Sequence, residues 1–224
     1  MAYNLLIIDD FYNNPDEVRA FALKQDFGVK GNYPGQRTKP FLSDSGKEYI
    51  AKHLRAIHGE PEFPENEDSY CGAFQYTTAA DRTWIHADGW NNWAGVWYGT
   101  PNAPLSGGTG IFRHKATGIT EKPDNETLCE RLLSDGRDYT KWDITDRVGN
   151  VFNRAIVYPG NKFHSSVEYF GFDKYTGRLF QTFFFDSDLT TELFFASIFS
   201  GALLSFFIFL LFWLSNQNAM FKKQ

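Results

Sequence analysis

From Tyr70 to Asp186 the chain breaks into short, aromatic-rich runs separated by Gly, Asn, Asp and Pro, and this punctuation constrains the fold more than any other feature. Short runs of this kind, bounded by turn formers, read as strands. One helical stretch, about Glu126 to Leu133, interrupts them. Ahead of them lies a short apolar strand, Leu5 to Ile8, and then a helix announced by Asn14 as cap, Pro15 in the first turn and Glu17 as capping partner. Val18, Phe21 and Ala22 give that helix a core face. A second helix runs from near Ser45 to Gly59 with Tyr49, Ile50, Leu54 and Ile57 on one side, and His53 and His58 along it read as solvated. Two helices leading into a run of strands predict a mainly β (α+β) body, a β-sandwich or jelly roll with helices packed on one face. With 224 residues, 18% of them aromatic, it can bury a core without staples. Cys71 and Cys129 therefore read as free, buried thiols in a reducing compartment.

The sharpest change in composition is near the end, where Leu193 to Leu214 run for 22 residues without a charge. That is long enough to cross a bilayer as a helix, and an all-apolar helix of this length has few other places to go. The sequence therefore predicts a body over 1–188 and a membrane segment over 189–224, with a single-pass helix at about 193–214. Lys222 and Lys223 favour a cytoplasmic C-terminus, whereas Met1 to Ile8 lacks the basic start and long apolar core of a signal peptide. The body is expected in the cytoplasm, because only the short tail then has to cross. Ser197, Gly201 and Ser205 form a stripe of small residues through which two such helices can touch as a weak homodimer. Of the net charge of −5, Glu192, Lys222 and Lys223 give the tail +1, which leaves −6 on the body and excludes nucleic acid as a partner.

Chemistry enters with His86-Ala87-Asp88. Residues two apart on a strand project to the same side and can share one metal ion. Chance alone puts a His-x-Asp into about a third of chains with this many His and Asp, so the pair needs a third ligand. His114 and His164 are the candidates. Two histidines and a carboxylate on one side of a metal leave the other side open, which suits iron(II) enzymes that bind a chelating cosubstrate and O₂. A guanidinium holds a carboxylate with two parallel hydrogen bonds, and Arg178 and Arg154 are the candidates for such a contact. Arg178 opens Arg178-Leu179-Phe180-Gln181-Thr182, so Thr182 shares its strand face. Trp84, Trp90, Trp93 and Trp97 crowd the motif as core or substrate wall, and Arg37 and Arg113 can meet an acidic substrate group.

The motifs follow one another as Gln75-Tyr76, His86-Ala87-Asp88, Val96-Trp97-Tyr98, Gly107-Gly108-Thr109, Ala155 to Pro159, His164 and Arg178. In that order the stretch from Phe74 to Asp186 resembles the prolyl-4-hydroxylase-like branch of the iron(II), 2-oxoglutarate dioxygenases, and the chain is also similar in appearance to phage-type oxygenases. The resemblance implies a double-stranded β-helix, iron(II) as metal and 2-oxoglutarate as cosubstrate. It selects His164, which follows an apolar strand and a Pro-Gly turn, as the third ligand beside His86 and Asp88. It implies that Arg178 anchors the cosubstrate, that Tyr98 and Thr182 help hold the same carboxylate, and that Tyr76 lines the pocket near the metal. The interval from His164 to Arg178, 14 residues, is longer than the usual spacing and implies a longer hairpin through Gly171 and Lys174.

The same resemblance implies hydroxylation of a substrate coupled to conversion of 2-oxoglutarate and O₂ to succinate and CO₂. Asp88 argues against halogenation, since related halogenases lack this carboxylate. Two other readings remain, a zinc hydrolase using the same three ligands and a non-catalytic jelly-roll binding or structural protein at a membrane.

Overall fold

The computed structural model describes residues 5–65, 69–89 and 91–187. Nine strands make up most of it: β1 (Leu6–Ile8), β2 (Gln36–Pro40), β3 (Ala73–Thr77), β4 (Trp93–Tyr98), β5 (Thr109–His114), β6 (Trp142–Val148), β7 (Ala155–Pro159), β8 (His164–Ser166) and β9 (Arg178–Phe185). Three α-helices accompany them: α1 (Pro15–Leu23), α2 (Asp44–His58) and α3 (Glu126–Ser134). The strands form a six-stranded sheet, ordered β1-β7-β4-β9-β3-β2, and a three-stranded sheet, ordered β6-β5-β8, with every pairing antiparallel. Mainly β architecture with helices ahead of the strands is what the sequence predicts.

The chain divides into two compact units, Met1–Tyr49 with Glu62–Asp186, and Ile50–Pro61 with Ser187–Gln224. The first holds all nine strands. Of the second, only 50–61 and Ser187 are described; there α2 buries Ile50, Ala51 and Leu54 and ends before Gly59, whose φ of +73° suits glycine past a helix end. Among the described residues no helix is long and apolar enough to cross a membrane, and the span expected over 193–214 lies outside them.

The position of β9 in the large sheet follows from its sequence. Arg-Leu-Phe-Gln-Thr-Phe-Phe-Phe has nothing that must face water except at its first residue, and it is buried almost throughout between β4 and β3. Its even-numbered residues face the small sheet. A core cluster there joins Ala94, Val96 and Tyr98 of β4, Ile156 and Tyr158 of β7 and Phe180 of β9 to Ile111 and Val148 of the small sheet. The small sheet's outer side carries a second cluster, Ile85, Phe112, Trp142 and Phe163 with Leu132 of α3. Asn125 caps α3 by accepting from the Leu128 N–H at 2.9 Å.

At α1 the sequence reading needs two corrections. Pro15 is the first helical residue, but the Asn14 side chain makes no cap; its backbone carbonyl accepts from Glu17 and Val18 instead. Phe21 is 46% exposed, with its ring edge-on to Phe41 and Phe74, and it is Ala22 that is fully buried.

Candidate metal centre

One further segment extends the small sheet beyond β8. His86 and His164 pair antiparallel, the His86 N–H donating to the His164 carbonyl at 3.0 Å and the His164 N–H to the His86 carbonyl at 2.8 Å. Directly opposed residues of a ladder send their side chains to the same side, and a residue two further on returns to it. Register thus gathers His86, Asp88 and His164 on one face. Nε2 of His86 lies 3.9 Å from Asp88 Oδ1, and Nε2 of His164 lies 3.6 Å from Asp88 Oδ2. Among the described residues these form the one group of three such side chains able to hold a metal, with ligand atoms within 4.8 Å of one another.

Each imidazole is oriented through its other nitrogen. His86 Nδ1 lies 3.1 Å from the Trp84 carbonyl, and His164 Nδ1 lies 2.8 Å from the Lys162 carbonyl. A carbonyl can only accept, so both Nδ1 atoms carry protons and both Nε2 lone pairs are left for a metal. Burial, with His86 beside it, pushes the His164 imidazole down to about 4, so it is neutral and ready to ligate at neutral pH. Two imidazoles and one carboxylate, fixed in this way and open on the other side, fit a divalent iron site.

That open side is a cavity of about 620 Å³ between the two sheets. All three ligands line it, as do Arg178, Phe180 and Thr182 of β9. Arg178 is 1% exposed. Its Nε donates to the Gly107 carbonyl at 2.8 Å, and its guanidinium lies 4.3 Å from the centre of the Phe180 ring and 5.3 Å from that of Tyr98. Its Nη1 is buried without a hydrogen-bond partner, and no carboxylate among the described residues forms an ion pair with it. Arg154, the other candidate anchor, is elsewhere: Nε and Nη2 grip Asp9 at 2.6 and 3.0 Å, and it does not line the cavity.

The remaining predicted residues separate by strand parity. Thr182 faces the cavity, but its hydroxyl donates to the Tyr70 carbonyl at 2.9 Å. Tyr98 is fully buried behind Arg178, and its hydroxyl donates to Thr109 Oγ1 at 2.8 Å. Tyr76 does not line this cavity: it points from the other face of β3 into a separate hollow of about 560 Å³, edge-on to Phe27. Its neighbour Gln75 is the residue that faces the metal cavity, since successive side chains on a strand alternate. His114 is 1% exposed and satisfied by Thr117 and Asp135 at 3.0 and 3.3 Å. Of the tryptophans, Trp84 lines the cavity, Trp97 is buried with its Nε1 donating to Asn153 at 3.0 Å, and Trp90 lies outside the described residues. Arg113 is on the surface, paired with Asp143 at 3.0 Å.

Sequence reasoning missed Tyr33, Tyr70, Tyr158 and Tyr169, which also line the cavity. Tyr158 could have been found: it shares strand parity with Ile156, and its ring lies 4.7 Å from that of His164. Tyr33 and Tyr70 come from irregular segments, where no periodicity reports a side chain's direction.

A model of the family described as "Family of unknown function (DUF6445)" matches residues 2–185. No curated protein matches the sequence. Among solved structures, HygX from Streptomyces hygroscopicus with nickel and 2-oxoglutarate bound is similar at 10% identity over 83% of this chain and 84% of that one, with a TM-score of 0.52. The same protein with hygromycin B also bound gives 10% identity, the same coverage of 83% and 84%, and a TM-score of 0.51. A prolyl hydroxylase from Trichoplax adhaerens, in complex with a hypoxia inducible factor peptide, gives 13% identity over 81% of this chain and 83% of that one, with a TM-score of 0.47, too low to carry weight. At these identities the likeness to HygX concerns the fold alone. Nothing in it bears on a membrane anchor or a phage origin.

Proposed function

The chain belongs to the DUF6445 family of unknown function, and from its metal centre and the guanidinium that shares the cavity we propose that it is an iron(II)- and 2-oxoglutarate-dependent oxygenase that hydroxylates an organic substrate. One observation carries the reading. Arg178 is a buried cation with an unpartnered Nη1 and no carboxylate among the described residues to balance it, on the wall of the cavity that His86, Asp88 and His164 also line. Burying a lone charge is costly, and a dicarboxylate that chelates a metal with one end and meets Arg178 with the other removes the cost.

In this reading His86, Asp88 and His164 hold iron(II), and Arg178 receives the far carboxylate of 2-oxoglutarate. Iron(II) with 2-oxoglutarate supplies the oxidation, in which O₂, 2-oxoglutarate and a substrate C–H bond become succinate, CO₂ and the hydroxylated product. The chain's own residues position the parts. The Gly107 carbonyl aims the guanidinium, while Phe180 and Tyr98 flank it and keep water away. Tyr98 acts from behind Arg178, holding Thr109, and Thr182 steadies the Tyr70 backbone. Asp88 keeps the third ligand position as a carboxylate, which supports hydroxylation over halogenation. A zinc hydrolase fits less well, because among the described residues Asp88 is the only carboxylate lining the cavity, and it serves as a ligand, so none of them is left to act as general base. A purely structural jelly roll leaves the uncompensated Arg178 without a purpose.

Anaerobic titration of the full-length chain tests the reading without a known substrate. Wild type is expected to bind one iron(II) and to develop the metal-to-ligand absorption of the 2-oxoglutarate chelate. Arg178→Ala should keep the metal and weaken 2-oxoglutarate by roughly a hundredfold, Arg178→Lys should recover part, and Arg154→Ala should change neither. His86→Ala, Asp88→Ala and His164→Ala should each lose iron. Absence of the chelate band in wild type would overturn the assignment.

A further inference from the structure

A second buried cation faces the same cavity. Arg37 is 8% exposed, and no carboxylate among the described residues forms an ion pair with it. Neutral groups hold it. Gln75 Oε1 accepts from Arg37 Nε at 2.8 Å and from Nη2, and the Gln75 amide in turn donates to the Pro34 carbonyl at 2.5 Å. The Tyr33 and Tyr70 rings clasp the guanidinium at 3.8 and 4.5 Å from its carbon. This leaves Nη1 with no hydrogen-bond partner among the described residues.

The clasp is built at some cost to the chain. Tyr70 takes a φ of +56°, a region uncommon for a bulky residue, and Thr182 secures its carbonyl. Gly31 leaves room for both rings, since a Cβ there would come within 2.3 Å of the Tyr33 ring and 3.0 Å of the Tyr70 hydroxyl. Desolvation lowers the Arg37 pKa to about 10, so it remains a cation at neutral pH, and of the described carboxylates only Asp88 is close enough to favour its charge.

The charges of the proposed centre say what Arg37 lacks. Iron(II) and Arg178 together are balanced by Asp88 and the two carboxylates of 2-oxoglutarate, so Asp88 is already spent and Arg37 stays uncompensated among the described residues. Lys122, at the rim, is exposed and solvated. We propose that Arg37, clasped by Tyr33 and Tyr70 and aimed by Gln75, is the substrate-recognition residue, and that it selects a substrate bearing one carboxylate. This rests on the oxygenase reading for the word substrate. The anion site itself depends only on Arg37 and its neighbours.

Benzoate is a suitable probe, offering a carboxylate to Nη1 and a ring to Tyr33, Tyr70 and Trp84, and benzamide is its neutral match. Calorimetric titration of the full-length chain, saturated with nickel(II) and 2-oxoglutarate so that Arg178 is occupied, should give a benzoate Kd on the order of 1 mM, with benzamide about tenfold weaker or worse. Arg37→Gln should weaken benzoate about tenfold and leave 2-oxoglutarate affinity within about twofold, and Arg37→Lys should fall between. Equal binding of benzoate and benzamide, no benzoate heat at about 20 mM, or benzoate binding unmoved by Arg37→Gln would each overturn the proposal. The benzoate and benzamide contrast needs no variant, so it stands even if Arg37→Gln fails to fold. Should wild type fail to bind 2-oxoglutarate, the oxygenase reading falls by itself, and the Arg37→Gln comparison without cosubstrate still decides the anion site.

Discussion

His164 is neutral in the folded chain because burial beside His86 holds its pKa at about 4, against about 6.5 for an exposed imidazole. Between those values an unfolded chain binds a proton that the folded, metal-free chain does not. Metal-free protein should therefore lose stability as pH falls from about 6.5 to about 4, by up to a few kcal/mol, and keep it in full above that window. Urea midpoints of the metal-free chain at pH 7 and pH 5 measure the loss, and His164→Gln should remove part of the slope. Equal midpoints for wild type would mean that the imidazole titrates as it does unfolded. At this scale the sequence named candidate residue types and could not always choose among them. Arg178 and Arg154 looked alike until Asp9, far away in sequence, was found gripping one of them. Tyr76 and Gln75 are neighbours, and a single step of strand parity exchanged their roles.

Gly107-Gly108-Thr109 shows an element doing more than its motif suggests. Gly107 lends its carbonyl to Arg178, Thr109 accepts the Tyr98 hydroxyl, and Gly108 lets β5 start against the end of β6. A Cβ on Gly108 would lie 1.8 Å from the Val148 carbonyl oxygen, a backbone atom that cannot step aside. Gly108→Ala should therefore destabilise the chain by about 2 kcal/mol and also weaken 2-oxoglutarate binding, because the Gly107 carbonyl moves with it. A urea midpoint close to wild type would show that the sheet absorbs the methyl group. Element types were largely readable: β1, α2 and α3 lie within a residue or two of where punctuation and periodicity put them. Side-chain detail at α1 was not, since whether Asn14 caps and whether Phe21 is covered depend on what the helix packs against.

For the whole molecule, the uncharged run from Leu193 to Leu214 is still the sequence's claim on a membrane, and it lies outside the described residues. Full-length protein should sediment with membranes and a chain stopped at Asp188 should not, as a fractionation blot would show; both forms staying soluble would remove the span. The sequence by itself determined what is local. Punctuated aromatic runs gave strands, and a His-x-Asp gave two candidate ligands two residues apart, because each depends only on neighbours along the chain. What the tertiary structure decided is whatever depends on register between distant segments. Pairing of His86 with His164 brought in the third candidate ligand, and the facing of the two sheets made the cavity. The same facing put Arg37, from β2, inside it rather than on the surface, because Tyr70 and Gln75, remote in sequence, join the nearby Tyr33 there to desolvate and hold it.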